Sequence, residues 1–296
     1  MSKPVQPAQS LREFMARLES AGELVRVSAP VAVKLEMTEI QPRLLAEGGP
    51  AVLFEKPVMD DGRISPMPVL VNLFGTVRRV AMAVTLEGKA RATGADLREV
   101  GELLAFLRQP EPPGGLKDAL EMMPLAKTVM AMKPAARDWG APCQEVVKTG
   151  DEINLDDLPI QTCWPGEPAP LITWPLVVTK GPSGAREDDF NLGVYRMQKL
   201  SRGQTIMRWL KHRGGAQHYA RWRKGKSEPL PAAAVIGADP GTILAAVTPT
   251  PDTLSEYHFA GLLRGKKVEL VDCKTVPLKV PAEAEIVLEG YVSLDS

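Results

Sequence analysis

Apolar positions in the first third of the chain alternate between two periods. Leu11, Phe14, Met15 and Leu18 recur at helical spacing, and Ser10 with Glu13 three residues on forms a capping box, so a helix is predicted to about Ser20, stopping near Gly22. The valine-rich run from Leu24 to Val33 reads as a strand. Glu36 to Ala46 then carries Met37, Ile40, Leu44 and Leu45 at helical spacing and ends at Gly48-Gly49. Ala51 to Glu55 and Met67 to Phe74 are apolar runs of strand length, the second expected to be buried on both faces. Val77 to Leu86 and the amphipathic Asp96 to Leu107 read as helices. Strands alternating with helices predict an α/β domain over residues 1–110.

Residues 111–142 are Pro- and Gly-rich and read as a connector, with one helix expected over Leu116 to Met123. From residue 143 the texture changes to short strand-like runs. These are Gln144 to Val147, Ile172 to Thr179, Phe190 to Met197, Ala232 to Ile236, Thr242 to Val247, Lys267 to Val271 and Glu285 to Val292. Helices are expected at Gly215 to Lys224 and Leu254 to Arg264. The order implies a mainly antiparallel barrel or sandwich with one or two inserted helices.

Lys plus Arg and Asp plus Glu are both 36, and this balance removes the electrostatic footprint of a general nucleic-acid binder. No window approaches about eighteen uninterrupted apolar residues, and the N-terminus lacks a basic segment leading into an apolar run, so a cytoplasmic protein is expected. Cys143, Cys163 and Cys273 form no close pair. They suggest neither a disulfide framework nor a CxxC metal site, and each reads as a small apolar residue.

Three segments carry unusual polar residues. In DDFNLGVYRMQ (188–198), strand alternation would put Asn191, Gly193 and Tyr195 on one face and Leu192, Val194 and Arg196 on the other. An Arg on that apolar face needs an anion or a path to solvent at the strand end, and these residues alone do not decide between the two. In MRWLKHRGGAQH (207–218), cations and a His precede a Gly-Gly that opens a helix. Its free N–H groups beside Lys211 and Arg213 suit a phosphate or carboxylate, while the plainer reading of the same residues is a basic loop with solvated charges. In VTPTPDTLSEY (247–257), a Pro-stiffened loop delivers Glu256 to the first turn of a helix capped by Asp252 or Thr253, where a carboxylate commonly just offsets the helix dipole. None of these is a phosphate loop, a dinucleotide fingerprint, a nucleophile elbow or a zinc motif, and Asp239 reads as a turn former.

Taken together, DDFNLGVYRMQ, RWLKHRGGAQHYARW, VIGADPGTILAAVTPTPDTLSEYHFAGLLRG and VPAEAEIVLEGYVS cover most of residues 140–296 and resemble the UbiD family of decarboxylases. The nearest branch is the bacterial 3-polyprenyl-4-hydroxybenzoate carboxy-lyases. The resemblance implies a split β-barrel of the flavin-reductase type over residues 143–296, carrying prenylated FMN whose phosphate is tied through Mn2+ (or Mg2+), with K+ nearby. It places the metal ligands on Asn191, His212 and Glu256, cofactor contacts on Val194, Tyr195, Arg196 and Lys211, and the K+ site on backbone around Ala246 to Thr248. Amide, imidazole, carboxylate and phosphate form a mostly hard donor set suited to such an ion.

Arg196 matches the arginine of the family's Glu-Arg-Glu network, which holds the carboxylate of an aromatic or α,β-unsaturated acid near the flavin. The acidic members of that network belong after the segment matching Glu285 to Val292. With the chain ending at Ser296, they and the family's C-terminal domain are expected to be absent, and Glu283, Glu285 and Glu289 are not substitutes. The resemblance also implies homo-oligomers for full-length members and, through a lipophilic substrate, peripheral association with the inner membrane. A flavin-binding module without decarboxylase activity, or a flavin reductase, are the alternative readings.

Overall fold

In the computed structural model the described residues are 7–84, 97, 98, 100–102, 104, 105, 123, 132–182, 189–250 and 254–294. The N-terminal region follows the apolar pattern closely. Helix α1 (Leu11–Ser20) starts where Ser10 Oγ accepts the Glu13 N–H, and Glu13 reaches back to the Gln9 N–H at 2.8 Å. Strand β1 (Leu24–Ala32) lies parallel to β2 (Ala51–Val58), with helix α2 (Glu36–Ala46) as the crossover that a parallel pair needs. Met37 is fully buried against Val31, Val33, Val52, Phe54 and Val71.

Strand β3 (Val69–Val71), antiparallel to β2, is much shorter than the apolar run that predicted it. Asn72 turns the chain with a positive φ of 58° and donates from Nδ2 to the carbonyls of Gly49 and Pro50. Arg79, fully buried on helix α3 (Val77–Ala83), then ties this corner together. It donates to the carbonyls of Asn72, Leu73 and Gly49 and pairs with Glu23 at 3.2 Å. The described positions between 97 and 105 are helical, as expected; the helix expected over Leu116 to Met123 lies, but for Met123, outside the described residues.

The remaining strands are β4 (Ala135–Ala136), β5 (Leu171–Ile172), β6 (Leu176–Lys180), β7 (Phe190–Val194), β8 (Met197–Ser201), β9 (Gln204–Met207), β10 (Leu230–Ile236), β11 (Glu269–Asp272), β12 (Lys279–Pro281) and β13 (Ile286–Val292). The central sheet is antiparallel throughout in the order β13-β10-β6-β7, flanked by sheets β12-β11-β4 and β5-β8-β9. The expectation of mainly antiparallel pairing therefore holds. Among the described residues, however, the strands form separate sheets and not one closed barrel.

Four expectations are corrected. Gln144 to Val147 is no strand. Pro142 opens a single 3-10 turn over Pro142–Gln144, and Val146 is 78% exposed beyond it. Ile172 to Thr179 is interrupted, and β5 and β6 fall on either side of Pro175, which has no N–H to give. Thr242 to Val247 belongs to helix α5 (Pro240–Val247); helix α4 (Gly214–Gly225) precedes it in the chain. Asp239 caps α5 by accepting the Thr242 N–H at 3.0 Å, and Pro240 fits the first turn. A short run without a charged side chain shows no helical period in the sequence, although Val247 at its end is 45% exposed. Finally, β7 stops at Val194, so the alternation that put Arg196 on an apolar face does not reach it, and Arg196 is exposed beyond the strand end.

Strands β6 and β10 of the central sheet are buried on both faces. Leu176, Val178, Leu192, Ala233 and Val235 meet the main core, which includes Phe14 and Leu18 of α1 and Phe259 and Leu263 of helix α6 (Glu256–Arg264). Val177 and Ala234 point the other way, into a smaller cluster with Ile172, Tyr195 and Met197.

Candidate functional site

Strand β7 lies at one edge of the central sheet. Its inner side pairs with β6, placing Thr179 opposite Asn191 and Val177 opposite Gly193, while α4, α5 and α6 pack against it. An edge strand has outward N–H groups that need acceptors. Glu256 supplies one: its Oε2 accepts the Leu192 N–H at 3.3 Å, and its Oε1 accepts from Thr250 Oγ1 at 3.4 Å. Glu256 is the first residue of α6, whose cap is Ser255 through the Tyr257 N–H; Asp252 and Thr253, the expected caps, lie outside the described residues.

Asn191 is 8% exposed on the adjacent position of β7. Its Nδ2 donates to Tyr195 Oη at 3.4 Å, and its Oδ1 lies against the start of α4, where a Cβ added to Gly214 would stand 1.9 Å away. The Gly-Gly read from sequence as a helix opening is therefore also a gap for this amide. Gly215 N donates to Tyr195 Oη at 3.1 Å, and the Tyr195 ring meets Trp209 edge-on at 5.8 Å.

The fold thus brings Asn191, Tyr195, Glu256 and the 212–214 turn to one sheet edge. It leaves the side chains of Lys211 and His212 exposed on that turn, with the His212 carbonyl accepting from Gln217 Nε2. Val194 closes β7 opposite Leu176, half-buried. Thr248 caps the C-terminus of α5, donating to the Leu244 carbonyl at 2.7 Å, two residues before the Thr250 that binds Glu256. Arg196 and Lys211 face an open groove of about 2050 Å³ that also meets Trp209, Met197 and Gln198. Arg196 lies near Cys163, whose thiol burial pushes up to about 11.

One cluster was not legible in the sequence. Buried His218, on α4, meets Thr179 Oγ1 through Nδ1 at 2.9 Å and Asp189 Oδ1 through Nε2 at 3.5 Å, and Asp189 pairs with Arg221 at 3.0 Å. Burial lowers the His218 pKa, and the nearby Asp189 carboxylate opposes that shift. No spacing signalled it, because Thr179, Asp189 and His218 come from three separate segments.

Among the described residues no three His, Cys, Asp or Glu side chains converge as a metal site. The expected ligand set therefore depends on the amide of Asn191. Its donor chemistry fits a hard divalent cation, since a buried amide oxygen and a carboxylate share one strand edge and an imidazole sits on the turn packed against the amide.

Fold and site together define a mixed α/β protein that presents an amide, a carboxylate and a basic turn along one sheet edge. It belongs to the UbiD family: residues 135–296 match the model described as the 3-octaprenyl-4-hydroxybenzoate carboxy-lyase Rift-related domain, and residues 15–104 match the corresponding N-terminal domain. Among solved structures it is similar to the closed form of vanillic acid decarboxylase from Sedimentibacter hydroxybenzoicus, with 26% identity and a TM-score of 0.76 over 97% of this chain and 55% of that one. The UbiD-class enzyme HmfF from Pelotomaculum thermopropionicum, in complex with FMN, shares 27% identity at a TM-score of 0.70 over 95% of this chain and 54% of that one. An evolved dimeric form of HmfF in complex with prenylated FMN shares 26% identity at a TM-score of 0.68 over 96% and 57%. The chain spans about half the length of these structures. Among the described residues no helix is long and apolar enough to cross a membrane.

Proposed function

We propose that the protein works in UbiD-type non-oxidative decarboxylation of an aromatic or α,β-unsaturated carboxylic acid, of the 3-polyprenyl-4-hydroxybenzoate class, with prenylated FMN. The observation that carries this is the meeting of Asn191, Glu256 and the 212–214 turn at the outer edge of β7. On this reading Asn191, His212 and Glu256 hold Mn2+ or Mg2+ against the flavin phosphate. Lys211 and the positive end of the α4 dipole offset the phosphate charge, and carbonyls around Ala246 to Thr248 hold K+. The residues from 143 onward correspond to the split barrel of the family, and Val194 and Tyr195 lie at its cofactor end.

The bound flavin supplies an electron sink for the charge left when CO2 departs. Arg196, exposed on the groove, binds the substrate carboxylate as a fork and keeps it ionised by proximity of charge. The proton that replaces CO2 requires an acid, and none of the residues assigned here supplies it. The enzyme acts in the cytoplasm, meeting a lipophilic acid at the inner membrane surface, and homo-oligomers belong to the full-length members of the family.

Titration with FMN and Mn2+ tests the reading. The wild-type chain is expected to bind the pair together, and His212→Ala and Glu256→Ala each to weaken Mn2+ by at least about tenfold. Wild-type binding left unchanged by both substitutions sinks it. Measured CO2 release from an aryl or acrylic acid separates an enzyme from a flavin-binding module that never decarboxylates.

A further inference from the structure

We infer that Tyr195 is a positioning residue that orients the Asn191 amide so that its oxygen, and not its nitrogen, is presented to a cation; this rests on Asn191 being a metal ligand. Tyr195 is 7% exposed, its ring set edge-on to Trp209 and seated in a slot that glycines leave open. A Cβ on Gly193 would come within 2.7 Å of the hydroxyl, and one on Gly215 within 3.2 Å of the ring. The hydroxyl oxygen is thereby fixed between the end of β7 and the start of α4, where it accepts both Asn191 Nδ2–H and the Gly215 N–H.

The consequence is chemical. An amide has one end that accepts and one that only donates, and only the accepting end can bind a cation. With Nδ2 engaged by Tyr195, Oδ1 is turned towards Gly214 and the turn carrying His212, and the gap left by the missing Cβ admits it. Tyr195 therefore acts on the site through Asn191, in the way an outer partner fixes the orientation of a ligating side chain. The same hydroxyl ties the amide to the first turn of α4, so amide orientation and the position of the basic turn are set by one atom.

Tyr195→Phe keeps the ring and removes the acceptor. With FMN saturating, Mn2+ affinity is measured for the wild type, Tyr195→Phe, Asn191→Ala, Asn191→Asp and the Asn191→Asp/Tyr195→Phe double variant, with a thermal melt for each. The expected result is a Tyr195→Phe loss of about 10- to 100-fold, the range seen when outer-shell partners are removed. In the Asn191→Asp background both terminal oxygens accept, orientation no longer matters, and Tyr195→Phe should cost no further affinity. A purely structural tyrosine would cost the same factor in both backgrounds, and that result overturns the inference, as does wild-type affinity in Tyr195→Phe. Mn2+ binding that Asn191→Ala leaves intact, or wild-type chain that binds no Mn2+, overturns the ligand reading and the inference with it. Loss in Tyr195→Phe that the Asp background rescues cannot come from misfolding, since both variants carry the same Phe.

Discussion

The two ends of the segment from Asn191 to Arg196 are built in opposite ways. At the Asn191 end the amide is buried, its nitrogen held by Tyr195, its oxygen set against Gly214, and the next N–H taken by Glu256. At the Arg196 end the strand has already stopped, and the guanidinium stands exposed on an open groove. The first end is preorganised by three helices packed on one edge strand. The second has no such frame and takes its geometry from whatever anion it meets. A cation site needs this rigidity because oxygen ligands must be held at fixed distances, whereas a carboxylate clamp tolerates a mobile arm.

The sharpest way to break this contrast is Gly214→Ala. The new Cβ would stand 1.9 Å from Asn191 Oδ1, so the amide must leave its position. Mn2+ affinity in the presence of FMN, measured by calorimetry, should fall by about 100-fold, the upper end for the loss of a partner that orients a ligand. Urea unfolding should show a loss of about 1–3 kcal/mol from overpacking. Retained affinity would mean that the amide is not confined there.

A smaller effect is expected from His218, which pins α4 to β6 beside the Asn191 pair. Burial lowers its folded pKa, so as pH falls below about 6.5 the unfolded chain takes up the proton first. The stability from neutral His218 is full above that pH and is lost as pH falls through the folded value. Unfolding measured between about pH 7 and pH 5 should lose stability on the acid side, with a shallower slope in His218→Gln. Equal slopes would remove His218 from the frame.

Least affected should be Arg196→Ala. Stability should stay within about 0.5 kcal/mol of wild type and Mn2+ affinity should not move, as for an exposed side chain outside the frame. Binding of an aromatic carboxylate to the flavin-loaded chain should weaken. Loss of Mn2+ affinity in this variant would join the two ends that the structure keeps apart.

What the sequence disclosed follows from how local each cause is. Helix α2 could be read to its ends because its period and its Gly-Gly stop are local, and Glu256 could be placed in a first helical turn. Helix α5 was misread as a strand because its short run carries no charged side chain to mark a period, although Asp239-Pro240 was a cap signal in plain view. The face of Arg196 was misassigned because strand alternation was carried past the point where β7 ends. Asn191, His212 and Glu256 came from resemblance, since nothing in their spacing says that they meet. The parts played by Gly214 and Tyr195 depend on contacts between separate elements, and only the folded chain displays them.

On the proposed reading Asn191, His212 and Glu256 close on one divalent cation at the flavin phosphate. The most direct measurement is anomalous diffraction at the manganese edge from crystals grown with FMN and Mn2+. One strong peak is expected within about 2.5 Å of Asn191 Oδ1, a Glu256 oxygen and the His212 ring, completed by a phosphate oxygen. A manganese peak elsewhere on the chain, or flavin bound with its phosphate away from the edge of β7, would contradict it.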